Sequence, residues 1–242
     1  MTLFLASVRD AAEAETAIGA GADIVDLKDP AKGALGALAP DAIADCVRRV
    51  AGRAPVSATI GDLPLEGDSA RAALRMTAAL GVNYVKLGIF PGEKERGLKR
   101  LAADAGQSRL ILVLFADALP AFDAIAFAAR IGAHGVMFDT MGKRAGALPD
   151  HMSFMDLAGC IASAKAEGLI VGLAGSLAAK HVASLIALAP DLLGFRGALC
   201  QGGDRAGPLD PVRVAGVRAL IPRSPRVLRE TDLPDLAPQA LC

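Results

Sequence analysis

The chain has 242 residues, 53% hydrophobic and 21% charged, and its 26 basic side chains balance 26 acidic ones. That length suits one large domain close to a minimal eight-unit barrel, and the composition excludes a disordered tail protein. Zero net charge with no basic face argues against a nucleic-acid partner, and apolar stretches of about ten residues are too short to span a bilayer.

The opening run Met1-Thr-Leu-Phe-Leu-Ala lacks a basic leader and reads as a strand rather than a signal peptide. Short β-rich runs then recur at Leu3–Ser7, Asp23–Lys28, Pro55–Ile60, Tyr84–Leu87, Leu110–Phe115, Gly135–Asp139, Leu169–Ala174 and Leu192–Arg196. An Ala-rich helical segment follows each. With no Trp and a single Tyr, aliphatic side chains must fill the interior, as is usual between parallel strands. Glycine recurs in the last turn before a strand at Gly21, Gly81, Gly132 and Gly168, the pattern of a helix C-cap feeding the next strand.

Eight such units predict a single (β/α)8 TIM barrel over residues 1–221. An open doubly wound sheet would show a glycine fingerprint after its first strand, and Ser7-Val-Arg-Asp has none. Residues 222–242 carry Pro222-Arg-Ser-Pro-Arg and Leu233-Pro-Asp-Leu-Ala-Pro, a proline-punctuated tail. Cys46, Cys160, Cys200 and Cys242 form no close pairs and read as reduced thiols of a cytoplasmic protein. His134, His151 and His181 lie far apart, so neither a metal site nor a cofactor is expected. The apolar fraction is compatible with a homo-oligomer, and no feature fixes a symmetry.

In this fold chemistry lies at the C-terminal ends of the strands. Those ends offer Ser7, Asp26 and Lys28, Ser57 and Thr59, Lys86, Asp117, Asp139 with Lys143 just beyond, Ser176 and Arg196. The chain has eight lysines against eighteen arginines, and three of the eight, Lys28, Lys86 and Lys143, lie at or just past strand ends. Burial and a second nearby cation both lower an amine pKa, which supplies the free amine that attacks a carbonyl. Asp26 and Lys28 stand at i, i+2 on one strand and point the same way, so the carboxylate is placed to hold the ammonium. Asp139 and Lys143 suggest a similar pair across a turn. Structural ion pairs are the competing reading.

Glycine gives the second signal. Gly172-Leu-Ala-Gly-Ser ends strand seven, and Arg196-Gly-Ala-Leu-Cys-Gln-Gly-Gly-Asp-Arg follows strand eight. The final two loops of this fold often bind phosphate through backbone N–H groups. Gly175, Ser176, Arg196, Gly197, Gly202 and Gly203 are the candidate phosphate ligands, with merely tight turns as the alternative. The small-residue loop 29–38 either covers the site or is a packed connection, and Asp62 either lines the mouth or supports that loop. These residues alone leave open a class I aldolase, a sugar-phosphate isomerase, or a phosphometabolite sensor on a retired barrel. A sensor would have no need of three buried lysines.

Six segments in register also resemble one family: Asp26-Leu-Lys-Asp-Pro, Ser57-Ala-Thr-Ile-Gly-Asp, Tyr84-Val-Lys-Leu-Gly, Phe138-Asp-Thr with Lys143, Leu173-Ala-Gly-Ser-Leu, and Arg196-Gly-Ala-Leu-Cys-Gln-Gly-Gly-Asp-Arg. Over residues 2–221 the chain resembles the (5-formylfuran-3-yl)methyl phosphate synthase family. The resemblance implies a lyase-type barrel enzyme, working without a cofactor, that joins two glyceraldehyde 3-phosphate molecules into a furan aldehyde phosphate. That step belongs to the synthesis of methanofuran-type one-carbon carriers. It implies Lys28 as the Schiff-base residue, Lys86 as general acid/base, and Asp26, Asp139 and Lys143 as supporting groups.

Overall fold

A computed structural model describes residues 1–95, 101–142 and 145–223. Its eight strands pair in parallel, each with its neighbour in sequence, and close on themselves as a barrel. They are β1 (Leu3–Val8), β2 (Ile24–Leu27), β3 (Val56–Thr59), β4 (Tyr84–Ile89), β5 (Arg109–Phe115), β6 (Gly135–Asp139), β7 (Ile170–Leu173) and β8 (Leu192–Phe195). Every expected strand is present. The clearest boundary difference is at β4, which runs to Ile89 because it pairs along β5 from Tyr84↔Arg109 to Ile89↔Leu114.

Among the described residues the helices are α1 (Ala11–Gly19), α2 (Pro40–Val50), α3 (Asp68–Ala79), α4 (Ala124–Arg130), α5 (Leu148–His151), α6 (Phe154–Ala166), α7 (Val182–Ile186) and α8 (Pro211–Leu220). Several start where a side chain satisfies first-turn N–H groups: Asp10 caps α1, Asp123 caps α4, Ser153 caps α6 and Asp210 caps α8. The glycines expected before strands take φ of 91° at Gly21, 82° at Gly81, 70° at Gly132 and 74° at Gly168. A side chain would be strained in that left-handed turn.

Alternation along the strands divides the hydrocarbon into two layers. Outward residues such as Phe4, Val25, Val85 and Leu112 pack under the helices, while Leu5, Ile24, Tyr84, Ile111, Val113, Met137 and Leu192 fill the barrel's interior. The side of the barrel where β1 meets the entry to β2 is reinforced from outside. On α8 the buried Arg218 reaches Asp23 at 2.5 Å, donates to Ile221 O at 2.6 Å, and lies 5.6 Å over the Phe4 ring.

Among the described residues no helix is long and apolar enough to cross a membrane. The proline-punctuated tail, apart from Pro222 and Arg223, lies outside the described residues.

Candidate active site

Strand register assembles the first half of the site. Ser7 of β1 stands beside Asp26 of β2, and Asp26 beside Ser57 of β3. Ser7 Oγ therefore donates to Asp26 Oδ2 at 2.8 Å and Ser57 Oγ to Asp26 Oδ1 at 2.6 Å. Lys86, reaching across from β4, brings its Nζ within 2.5 Å of Asp26 Oδ1. Both members of this pair are almost wholly buried, at 2% and 1% exposure. Burial raises the Asp26 pKa, but the Lys86 and Lys28 charges and the Lys86 and Ser57 hydrogen bonds outweigh it, and Asp26 stays below the usual carboxylate range. Lys86 is held below the usual ammonium range by burial; Asp26 opposes that shift and the Lys28 charge adds to it.

The second half lies one layer higher. Lys28 Nζ is 3.3 Å from Asp139 Oδ2, at the end of β6. The other oxygen, Asp139 Oδ1, accepts the backbone N–H of Thr140 at 2.7 Å. The same-strand pairing of Asp26 with Lys28 is thus corrected. Residues i and i+2 are about 6.6 Å apart along a strand, and each side chain finds a partner across the barrel instead. Lys143 lies outside the described residues. The segment leading to it is braced by Asp117, whose two oxygens accept Met141 N–H and Gly142 N–H at 2.7 Å each.

Above the pairs opens a cavity of about 400 Å³, whose lining includes Ser7, Asp26, Lys28, Lys86 and Asp139. Its walls come from β1, β2 and β6 to β8. The mouth over β3 to β5 is closed by the loop 29–38, which resolves the choice left open by sequence. Asp62 accepts Ala34 N–H at 2.8 Å and Leu35 N–H at 2.7 Å, and Thr59 Oγ1 donates to Gly36 O at 3.0 Å. Leu35, 1% exposed, is thereby fixed in an apolar cluster with Phe90 and Phe115. Asp62 supports the loop and is not among the cavity's lining residues.

On the opposite rim, Gly175, Ser176, Arg196, Gly197 and Gly203 all line the cavity. Gly175 has φ 94°, and a Cβ there would fall 2.9 Å from Thr140 N, so glycine lets this loop press against the end of β6. Gly197 opens the turn Gly197–Leu199, whose first N–H groups have no partner within the turn. Gly202 takes a left-handed turn (φ 62°) and does not line the cavity.

Arg196 differs from expectation. A guanidinium has five N–H donors, and all five are used within the protein. Nε donates to Arg205 O at 2.8 Å, and Nη1 to Ser7 O at 3.2 Å and Glu13 Oε2 at 2.5 Å. Nη2 donates to Glu13 Oε1 at 3.2 Å and Gly207 O at 2.8 Å. The guanidiniums left facing the cavity are those of Arg205 and Arg213. Sequence reading passed over both, and Glu13 as well. Arg205 closes the glycine-rich run after strand eight and could have been found there. Glu13 looks like any helical glutamate.

This geometry agrees with the comparisons. A family model described as 4-HFC-P synthase matches residues 4–218. A Methylorubrum extorquens protein provisionally named (5-formylfuran-3-yl)methyl phosphate synthase is 43% identical over 222 residues, covering 92% of each chain. The (5-formylfuran-3-yl)methyl phosphate synthase of Archaeoglobus fulgidus is 33% identical over 213 residues, covering 82% of this chain and 90% of its own. Among solved structures, phosphoribosyl anthranilate isomerase from Thermotoga maritima superposes with a TM-score of 0.67 over 91% of this chain and 98% of its own, at 11% identity, a likeness of fold. The chain belongs to the 4-HFC-P synthase family.

Proposed function

We propose that this chain joins two molecules of glyceraldehyde 3-phosphate into (5-formylfuran-3-yl)methyl phosphate, with Lys28 as the covalent amine. The observation that carries the reading is the stacking of two lysine–aspartate pairs beneath one cavity, Lys86–Asp26 below and Lys28–Asp139 above, with glycine-rich loops at its rim. The atoms balance. Two trioses supply six carbons, and the furan follows by loss of one phosphate and two waters with no net redox change.

The residues divide the work by position. Lys28 lies nearer the opening, where an aldehyde arrives first. Asp139 takes the ammonium proton, the free amine adds to the carbonyl carbon, and water leaves to give an iminium. Lys86, whose burial favours the neutral amine, removes the proton next to that iminium and makes the enamine. Elimination of phosphate from the second triose leaves a 2-hydroxyacrolein, and the enamine carbon attacks its terminal carbon. The hydroxyl of that unit then closes on the iminium carbon, Lys28 leaves as the free amine, and loss of the second water completes the ring. Ser7 and Ser57 hold Asp26 in place while Lys86 gains and loses its proton. The described cysteines, Cys46, Cys160 and Cys200, are unpaired, which suits a reducing cytoplasm.

Incubation of the purified chain with glyceraldehyde 3-phosphate alone tests the reading. A furan aldehyde absorbance rising with one inorganic phosphate per furan is the expected result. Isomerised triose or aldol products alone would overturn it.

A further inference from the structure

We infer that Arg205, not Arg196, is the guanidinium that takes the substrate's phosphate, and that the buried Arg196–Glu13 pair is the bracket presenting it. The inference rests on reading the cavity as a triose phosphate site.

Arg196 could reach a phosphate only by releasing one of its five partners. Glu13 is not free to accept that loss. It is 5% exposed and also accepts Arg9 N–H at 3.0 Å and Leu209 N–H at 3.3 Å. Giving up Arg196 would cost the carboxylate its two-pronged partner and leave Arg9 Nε, 3.2 Å from Oε1, as its remaining cation, an unfavourable exchange for a buried group. The pair is better suited to hold loop eight, since Arg196 also fixes the carbonyls of Ser7, Arg205 and Gly207.

Arg205 has the opposite character. It is half-buried and lines the cavity, and its side chain makes no hydrogen bond or ion pair among the described residues. Burial lowers its pKa, with the Asp139 carboxylate opposing the shift and the Arg196 charge adding to it. Its own carbonyl is held by Arg196 Nε, so the root of the side chain is fixed while the tip is not. A Cβ placed on Gly197 would sit 3.8 Å from Arg205 Cβ and 3.3 Å from Gly203 O. The 3.3 Å approach to Gly203 O favours glycine there, so the start of loop eight packs closely against the segment that carries Arg205. A planar fork of unengaged N–H donors matches the tetrahedral oxygens of a phosphate.

The test uses the full chain and inorganic phosphate as probe, followed by phosphorus NMR titration, with thermal melting in parallel. Arg205→Gln should weaken phosphate binding roughly 10- to 100-fold and raise KM for glyceraldehyde 3-phosphate by a similar factor, with Tm unchanged. Arg205→Lys should recover part of the binding. Arg196→Gln should instead lower Tm. Borohydride trapping of unphosphorylated glyceraldehyde should be the same in Arg205→Gln as in wild type. The assignment is overturned if wild type fails to bind phosphate, if Arg205→Gln binds it normally, or if Arg196→Gln loses binding at unchanged Tm. Loss of the unphosphorylated adduct in Arg205→Gln would equally overturn it. If phosphate binding follows the expected pattern but no furan forms, the proposed function fails and the phosphate assignment stands.

Discussion

Over β6, β7, β8, β1 and β2 the mouth of the barrel is hollow and lined with charge, whereas over β3 to β5 it is filled with hydrocarbon. The difference originates in two loops. Loop 29–38 folds inward, pinned by Asp62, and places Leu35 over β4, where Gly88 leaves room. A Cβ at Gly88 would lie 2.7 Å from Leu35 Cδ1 and 3.0 Å from Phe90 Cε2. Loop eight is instead held back by Arg196 and Glu13, and the space above Lys28 stays open. The filled half keeps water from one side of the site and so deepens the burial that sets the Lys86 pKa. The open half admits the substrate.

Four changes would break or sharpen this contrast. Replacing the amine of the open half should have the largest effect. Lys28→Arg keeps the charge opposite Asp139 but cannot supply a neutral amine, so turnover should fall by about 10⁴-fold or more, read as furan formation. Lys86→Met keeps the shape of the deep pair and removes its proton carrier. It should lower kcat roughly 10²- to 10⁴-fold, with the imine on Lys28 still trappable.

The filled half should respond in stability. Leu35→Ala empties a closed apolar site and should cost roughly 2–5 kcal/mol in urea unfolding. By admitting water it should also shift the acidic limb of the activity profile to higher pH, as Lys86 becomes easier to protonate and the neutral amine forms later.

The smallest effect belongs to the barrel's other end, away from both halves. His134, just before β6, has its pKa pushed down from 6.5 to about 4, by burial first and then by the Arg109 charge. Between those values the unfolded chain binds a proton that the folded chain does not. Stability should therefore fall as pH drops through that window, by up to about 1.4 kcal/mol per pH unit. Urea unfolding at several pH values should show the slope, and His134→Gln should flatten it without altering furan formation.

Much of the architecture was legible in the sequence, because each β/α unit carries its own punctuation. A run of β-formers, an alanine-rich helix and a left-handed glycine such as Gly21 or Gly168 are local features. The lysines and aspartates were legible too, since a charge inside an apolar strand stands out. Their pairing was not. Lys86 meets Asp26, and Lys28 meets Asp139, through barrel closure and the levels of distant strands, which no local spacing encodes. Glu13 and Glu15 show the same limit: two glutamates two positions apart on α1, one turned inward to Arg196 and the other outward to Arg53. Only the helix's docking angle separates a structural bracket from a surface pair.

The central claim is that the amine of the open half, Lys28, carries the covalent bond while the deeper Lys86 moves protons. Borohydride reduction in the presence of glyceraldehyde 3-phosphate, followed by peptide mass mapping, reads this directly. A reduced triose adduct on the peptide containing Lys28, absent in Lys28→Arg and retained in Lys86→Met, is the predicted result. An adduct on Lys86 instead, or furan formed by an enzyme that borohydride never labels, would contradict it.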